Sequence, residues 1–288
     1  MKLAAKILLS LLALVVATLV AGPILSRLPL VPPPPPPGAT PGGLFSAFLL
    51  GGLLLVVSLV PVASGLGGRF AGRWMSLALM LYLANGVNTA VELAVFGTFG
   101  GIKFGLVHDF LCFVPATAAL AWLFGSQKPA PSLPQFGFVS WLWRAAIAWA
   151  AWPVIYFVFG MCVAPIVVPF YKAGVPGLRI PPLDVIFQTQ LVRSILFLAS
   201  SLPVIMLWSY SRRRLIVALG IAHTVMVGLY GLSMASWLPM TLRVTHSLEI
   251  AADSFVYALV LALLFFPRAK EPSAADIHSE ILTSAASS

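Results

Sequence analysis

The sequence is poor in charge. Only 9% of its 288 residues are charged, with eight acidic side chains against 17 lysines and arginines. A typical soluble domain carries roughly a quarter charged residues. Together with 60% hydrophobic residues and a mean hydropathy of +1.01, so low a charge content excludes an ordinary soluble domain. The composition predicts an integral membrane protein.

Cysteine and catalytic signatures are scarce as well. The sequence has two cysteines, Cys112 and Cys162, and both lie in apolar stretches. Such cysteines do not support a disulfide framework or a cysteine-rich metal site. The sequence also lacks the His-Glu-x-x-His pair of zinc proteases, the Gly-x-Ser-x-Gly elbow of serine hydrolases and a phosphate-binding loop that ends in Gly-Lys-Ser/Thr. No motif therefore identifies an enzyme class.

Eight apolar segments are long enough to cross a hydrocarbon core of about 30 Å, which needs about 20 residues. The predicted fold class is thus an all-α integral membrane protein, a polytopic bundle of eight transmembrane helices. The fifth segment is too long for one straight span and contains Pro153, Pro165 and Pro169, so we expect it to kink, break or end in a re-entrant turn. The segments are Ile7–Leu25, Leu44–Ala63, Trp74–Gly97, Phe104–Gly125, Val139–Phe170, Ile186–Trp208, Leu215–Trp237 and Thr245–Phe266.

The chain divides into four parts by composition. Residues 1–26 have a basic start and an apolar middle, as a membrane anchor or a secretory signal does. Cleavage would leave seven helices, but the run is long for a signal and lacks an Ala-x-Ala site, which favours a retained anchor. Residues 27–43 are an external linker whose six consecutive prolines predict a stiff polyproline II spacer. Residues 44–267 form the multi-helix transmembrane domain, and residues 268–288 a polar cytoplasmic tail.

The basic residues predict the orientation and exclude a nucleic-acid partner. They are spread over short connections and form no patch on a soluble face, which a nucleic-acid footprint requires. With a cytoplasmic N-terminus, eleven of them face inward and five outward, as the positive-inside rule demands. We therefore predict a multi-pass cell-membrane protein with both termini in the cytoplasm. The inward residues are Lys2, Lys6, Arg69, Arg73, Lys128, Arg144, Arg212, Arg213, Arg214, Arg268 and Lys270, and the outward ones are Arg27, Lys103, Lys172, Arg179 and Arg243.

Polar residues recur at one depth, in the outer halves of several spans. On the eighth helix His246, Glu249 and Asp253 follow an i, i+3, i+7 spacing, which places them on one face. A charged side chain at a helix centre costs about 2.5 to 3.5 kcal/mol, so such residues face a bundle interior or a wet cavity. Asn85, Asn88 and Glu92 repeat the spacing on the third helix. The candidate substrate- or cation-binding residues are Glu92, His108, Asp109, Arg193, His246, Glu249 and Asp253.

The embedded charges do not balance. Four carboxylates face the single guanidinium of Arg193, so we expect protonated acids, access to water, or a bound cation. His108, His246 and Glu249 are candidate ligands of a divalent metal. A haem held between the two histidines fits less well, because carboxylates lie close to both.

Three classes of function remain open on the sequence. The favoured one is a transporter or permease that uses the outer carboxylate and histidine cluster to handle protons or other cations. The second is a membrane-embedded enzyme, with or without a metal, that acts on a lipid or another outer-leaflet substrate. The third is a non-catalytic membrane subunit or scaffold whose polar residues serve packing. The expected partners are the lipid bilayer, a small-molecule, ion or lipid substrate, and another membrane protein.

Overall fold

A computed structural model describes residues 1–97, 100–126, 128–129, 136–175 and 178–266. Over these ranges the chain is all-helical, and eight helices are long and apolar enough to span a membrane. Each end lies within five residues of its predicted position, so this part of the prediction is confirmed, while the predicted tail at 268–288 lies outside the described residues. The helices are α1 (Leu3–Leu25), α2 (Pro41–Gly65), α3 (Phe70–Val95), α4 (Ile102–Phe124), α5 (Phe138–Lys172), α6 (Leu183–Leu207), α7 (Arg212–Met234) and α8 (Met240–Phe265).

Large apolar side chains cover much of the surface. On α5, Leu142, Val154 and Met161 are 59%, 62% and 67% exposed. Water-soluble proteins rarely expose apolar patches of more than a few hundred Å². A continuous apolar surface on helices of this length therefore suggests an integral membrane protein, with lipid as the solvent of these side chains.

The helices contact one another in an order that differs from their order in the chain. Starting at α1, the succession is α1, α4, α3, α6, α5, α8, α7 and α2, and α2 returns to α1. As a result α3, α6, α5 and α8 are consecutive neighbours. The helix α6, which carries Arg193, contacts both α3, which carries Glu92, and α8, which carries His246, Glu249 and Asp253.

The two ends of the bundle differ in charge. We call the basic end the one at which α2, α4 and α6 terminate, at Gly65, Phe124 and Leu207. There Leu66 pairs with Trp208 in an isolated β-bridge, which joins the α2–α3 connection to the α6–α7 connection. We call the opposite end, where α3, α5 and α7 terminate, the acidic end.

Two short π-helical turns link α3 to α7 across the bundle. They span Tyr82–Val87 and Val225–Leu229. The buried Asn85 amide donates a 2.6 Å hydrogen bond to the Met226 carbonyl, so the two turns are joined directly. Single π-helical turns inside α-helices occur frequently at functional sites.

Of the outcomes predicted for the fifth span, the break and the re-entrant turn are wrong, because α5 is one unbroken helix of 35 residues. Pro153 has no N–H to donate to the carbonyl of Trp149, four residues earlier. The Ser194 hydroxyl on α6 donates to that carbonyl instead, at 2.6 Å. Because a neighbouring helix satisfies the freed carbonyl, the buried proline does not interrupt the helix.

This arrangement makes the cost of one substitution depend on another. Ser194→Ala leaves the Trp149 carbonyl without its donor, and we expect a loss of about 0.5–2 kcal/mol of stability. In a Pro153→Ala background the new N–H at position 153 takes over that carbonyl, so the same change is expected to cost much less. A double-mutant cycle measured by thermal unfolding in detergent checks this. Additive effects of the two changes would contradict the explanation.

Candidate functional site

Arg193 is the centre of a buried network between α3 and α6. Its guanidinium forms an ion pair with Glu92, at 2.6 Å between Nη2 and Oε1. Its Nε donates to Asn88 Oδ1 at 2.8 Å, and its Nη1 donates to Gln190 Oε1 at 3.1 Å. The Trp152 indole of α5 donates to the same Gln190 oxygen at 3.1 Å. Three helices thus fix the one arginine that lies deep inside a span.

This network also fixes the orientation of two amides. Asn88 and Gln190 use their oxygens as acceptors, so their amide nitrogens must point elsewhere. Neither nitrogen has a hydrogen-bond partner within the described part of the chain, and neither does Asp253 Oδ1. A buried polar group without a partner costs about 1–3 kcal/mol. Three such atoms around one arginine are unusual for a site that serves packing alone.

A second set of contacts connects α8 to α5. His246 Nδ1 and Glu249 Oε2 lie 2.7 Å apart, and His246 Nε2 lies 3.1 Å from the Tyr171 hydroxyl. Glu249 is buried and lies against Gly160, where a side chain would come within 3.4 Å of Oε1. The imidazole is thereby held between a carboxylate and a phenol.

Tyr156 of α5 shows that the two sets of contacts belong together. It lies close enough to Arg193, Glu92, Glu249 and Asp253 to interact electrostatically with each of them. Asp253 is only 2% exposed and faces both Glu249 and Arg193. We refer to Glu92, Arg193, His246, Glu249 and Asp253 as the charged cluster. Five of the seven predicted binding residues therefore converge.

An aromatic layer borders the charged cluster on the side of the basic end. The Trp152 ring packs edge-on against Phe197 and Tyr257, with centroids 4.4 Å and 5.3 Å apart. Phe197 and Tyr257 follow Arg193 and Asp253 by one helical turn on their helices. The Arg193 guanidinium lies 5.5 Å from the Phe197 ring centroid. The charged groups are thus bordered by tightly packed aromatic rings within one helical turn.

The other two predicted binding residues, His108 and Asp109, form a separate pair on α4. His108 Nδ1 lies 3.0 Å from Asp109 Oδ1, and its Nε2 lies 3.5 Å from the Cys112 sulfur. Asp109 packs against Gly86 in the π-helical turn of α3 and interacts electrostatically with Tyr82. Gly86 and Glu92 lie on different faces of α3, which is why His108 and Asp109 lie apart from the charged cluster.

The geometry offers little for a bound metal. Nowhere in the described ranges do three or more histidine, cysteine, aspartate or glutamate side chains come together as a metal-ligating group. Of the candidate ligands, His246 and Glu249 are adjacent, whereas His108 is engaged with Asp109 and Cys112. The two histidine rings thus contact different partners, His108 on α4 alone and His246 on α5 and α8.

Several residues of the site carry no signal in the sequence. Trp152, Tyr156 and Tyr171 lie on α5, which is apolar on all faces and shows no polar stripe.

Comparison of the sequence and the structure with known proteins finds no matching family, no matching characterised protein and no matching solved structure. The function must therefore be argued from the geometry alone.

Proposed function

We propose that the protein is a multi-pass transporter of the cell membrane whose charged cluster binds and releases a proton or a small cation. In this proposal both termini lie in the cytoplasm and the acidic end faces outward, in keeping with the positive-inside rule. The substrate that moves with the ion is a small molecule or another ion.

One observation carries the proposal. Glu249 and Asp253 are buried one turn apart on the same face of α8, and the nearby Arg193 is already paired with Glu92. With His246 protonated, the cluster holds three carboxylates against two cations. Like charges so close in a buried site favour uptake of a proton or a cation. The aromatic layer separates the cluster from the basic end, which is compatible with one state of an alternating-access cycle.

The contacts of His246 favour a second candidate, a membrane-embedded enzyme. An imidazole oriented by a carboxylate, with a hydroxyl on its other nitrogen, has the geometry of a general acid or base. In that case Glu249 orients His246, and a lipid or another outer-leaflet molecule is the substrate. This role makes no demand on Asp253, which distinguishes it from transport.

Charge displacement in proteoliposomes tests the transport proposal. We expect the wild-type protein on a solid-supported membrane to give a transient current after a step to acidic buffer or from choline to sodium. The current should be abolished in Asp253→Asn and Glu249→Gln, because a neutral amide neither takes up a proton in this pH range nor supplies the negative charge that balances a bound cation. Asp184→Asn is the matched control, since Asp184 is exposed at the start of α6. No wild-type current, or equal currents in wild type and Asp253→Asn, would overturn the proposal.

A further inference from the structure

We propose that a groove between α2 and α7 at the basic end binds the phosphate-bearing headgroup of an anionic lipid. The groove encloses about 450 Å³, which falls within the usual range of ligand sites. Pro61 and Ser64 of α2 form one wall, and Val217 of α7 lies on the other. Arg213 and Arg214 line the same cavity at the start of α7.

Within the described ranges, no carboxylate pairs with these two arginines at the basic end. The carboxylates in the described ranges belong to α3, α4, α6 and α8 and lie toward the acidic end, as do the ion pairs. Other basic side chains nearby are used by the fold. Arg73 donates to the Gly68 and Ser126 carbonyls, and Arg212 donates to the Phe266 carbonyl.

Arg213 and Arg214 are exposed and donate to no backbone carbonyl of the described residues. Arg213 makes no hydrogen bond or ring contact within the described part of the chain, and Arg214 contacts only the Tyr210 ring, 5.3 Å from its centroid. The N-terminus of α7, at Arg212, adds positive partial charge at the same place. The groove thus combines two available guanidinium groups with a helix N-terminus, which suits a phosphate.

Specific contacts fix the aromatic side chains that line the groove. The buried Trp208 ring lies flat against the end of α2 at Gly65, where any side chain would collide with it. The Trp208 indole donates to the Ser211 carbonyl at 3.2 Å, and the Lys128 ammonium lies 4.0 Å from the Tyr210 ring centroid. These contacts hold the aromatic side of the cavity in place.

The mouth of the groove favours a lipid over free phosphate. Val217 is 49% exposed on the apolar surface of α7, directly beside the arginines. If the phosphate of a lipid binds the two guanidinium groups, its acyl chain can therefore lie along the apolar surface of α7. Free inorganic phosphate makes no use of this surface.

Native mass spectrometry of the full chain with added phosphatidylglycerol tests the assignment. We expect one phosphatidylglycerol to remain bound at least about tenfold more tightly than phosphatidylcholine with the same acyl chains. Arg213→Gln/Arg214→Gln should remove this preference. Val217→Trp, which fills the groove and leaves both arginines, should remove it too. Both sites are exposed, so neither variant disturbs the core.

Arg27→Gln/Lys103→Gln is the matched control, because it removes the same charge from two exposed residues at the acidic end. We expect it to keep the preference for phosphatidylglycerol. An equal loss in this control, or an unchanged preference in Val217→Trp, would overturn the site in favour of general charge attraction. Displacement of the lipid by millimolar inorganic phosphate would overturn the assignment to a lipid headgroup.

Discussion

Replacing Arg193 with alanine is expected to destabilise the protein by about 3 kcal/mol, the largest effect of any single charge change in the bundle. Removal of one partner from a buried ion pair costs about 3–5 kcal/mol, because the other charge stays behind. Glu92 is 34% exposed, so solvent screening places the cost at the lower end. The oxygens of Asn88 and Gln190 lose a donor in the same variant. Thermal unfolding in mild detergent measures the loss.

A rescue variant distinguishes loss of charge balance from loss of packing. Arg193→Met/Glu92→Gln removes both charges and keeps most of the volume, so we expect it to recover at least half of the lost stability. Arg243→Ala is the matched control. Arg243 lies at the acidic end, is half-buried where Arg193 is buried, and has the carbonyls of Leu232 and Ser233 as its described partners. An equal loss in Arg243→Ala, or no rescue in the double variant, would contradict the role given to the ion pair.

Asp253→Asn is expected to act in the opposite direction and raise stability by about 1–2 kcal/mol while it abolishes the ion response. The buried carboxylate has an oxygen without a hydrogen-bond partner in the described structure and a second carboxylate, Glu249, as its neighbour. A neutral amide of the same shape removes the charge that is costly to bury. Gain of stability with loss of function is typical of a residue kept for activity.

Two outcomes separate this explanation from a packing role. Asp184→Asn, on the surface of the same bundle, should change stability by less than about 0.5 kcal/mol and leave the ion response intact. If a residue serves packing, the protein loses stability when the hydrogen-bonding atom of that residue is altered. A destabilised Asp253→Asn that still responds to protons would therefore support a packing role for Asp253.

Much of this architecture is predictable from the sequence, because a span is a local property. Twenty apolar residues in a row specify a helix of bilayer length whatever its neighbours are. The equal spacing of Asn88 and Glu92 on α3 and of Glu249 and Asp253 on α8 correctly indicates that these faces point inward. Whether these faces converge depends on the order of the helices around the bundle, which the sequence does not give.

The rest depends on contacts between helices that are far apart in sequence. The order of the helices places α4 on the other side of α3, which separates His108 and Asp109 from the charged cluster. The continuity of α5 depends on Ser194, a residue of α6 that no local pattern connects to Pro153. Tyr156 and Tyr171 stay hidden for the same reason, since an aromatic on an apolar helix gives no sign of its polar neighbours.

Infrared difference spectroscopy during a step to acidic buffer, on the reconstituted wild type and on Asp253→Asn treated identically, tests whether Asp253 takes up and releases a proton or cation within the charged cluster. We expect a protonated-carboxyl C=O band in the wild type that grows as carboxylate bands decline and is missing in Asp253→Asn. Sodium added at alkaline pH should perturb the same carboxylate bands if sodium is the bound ion. Identical difference spectra in the two proteins would show that Asp253 is not the group that binds the ion.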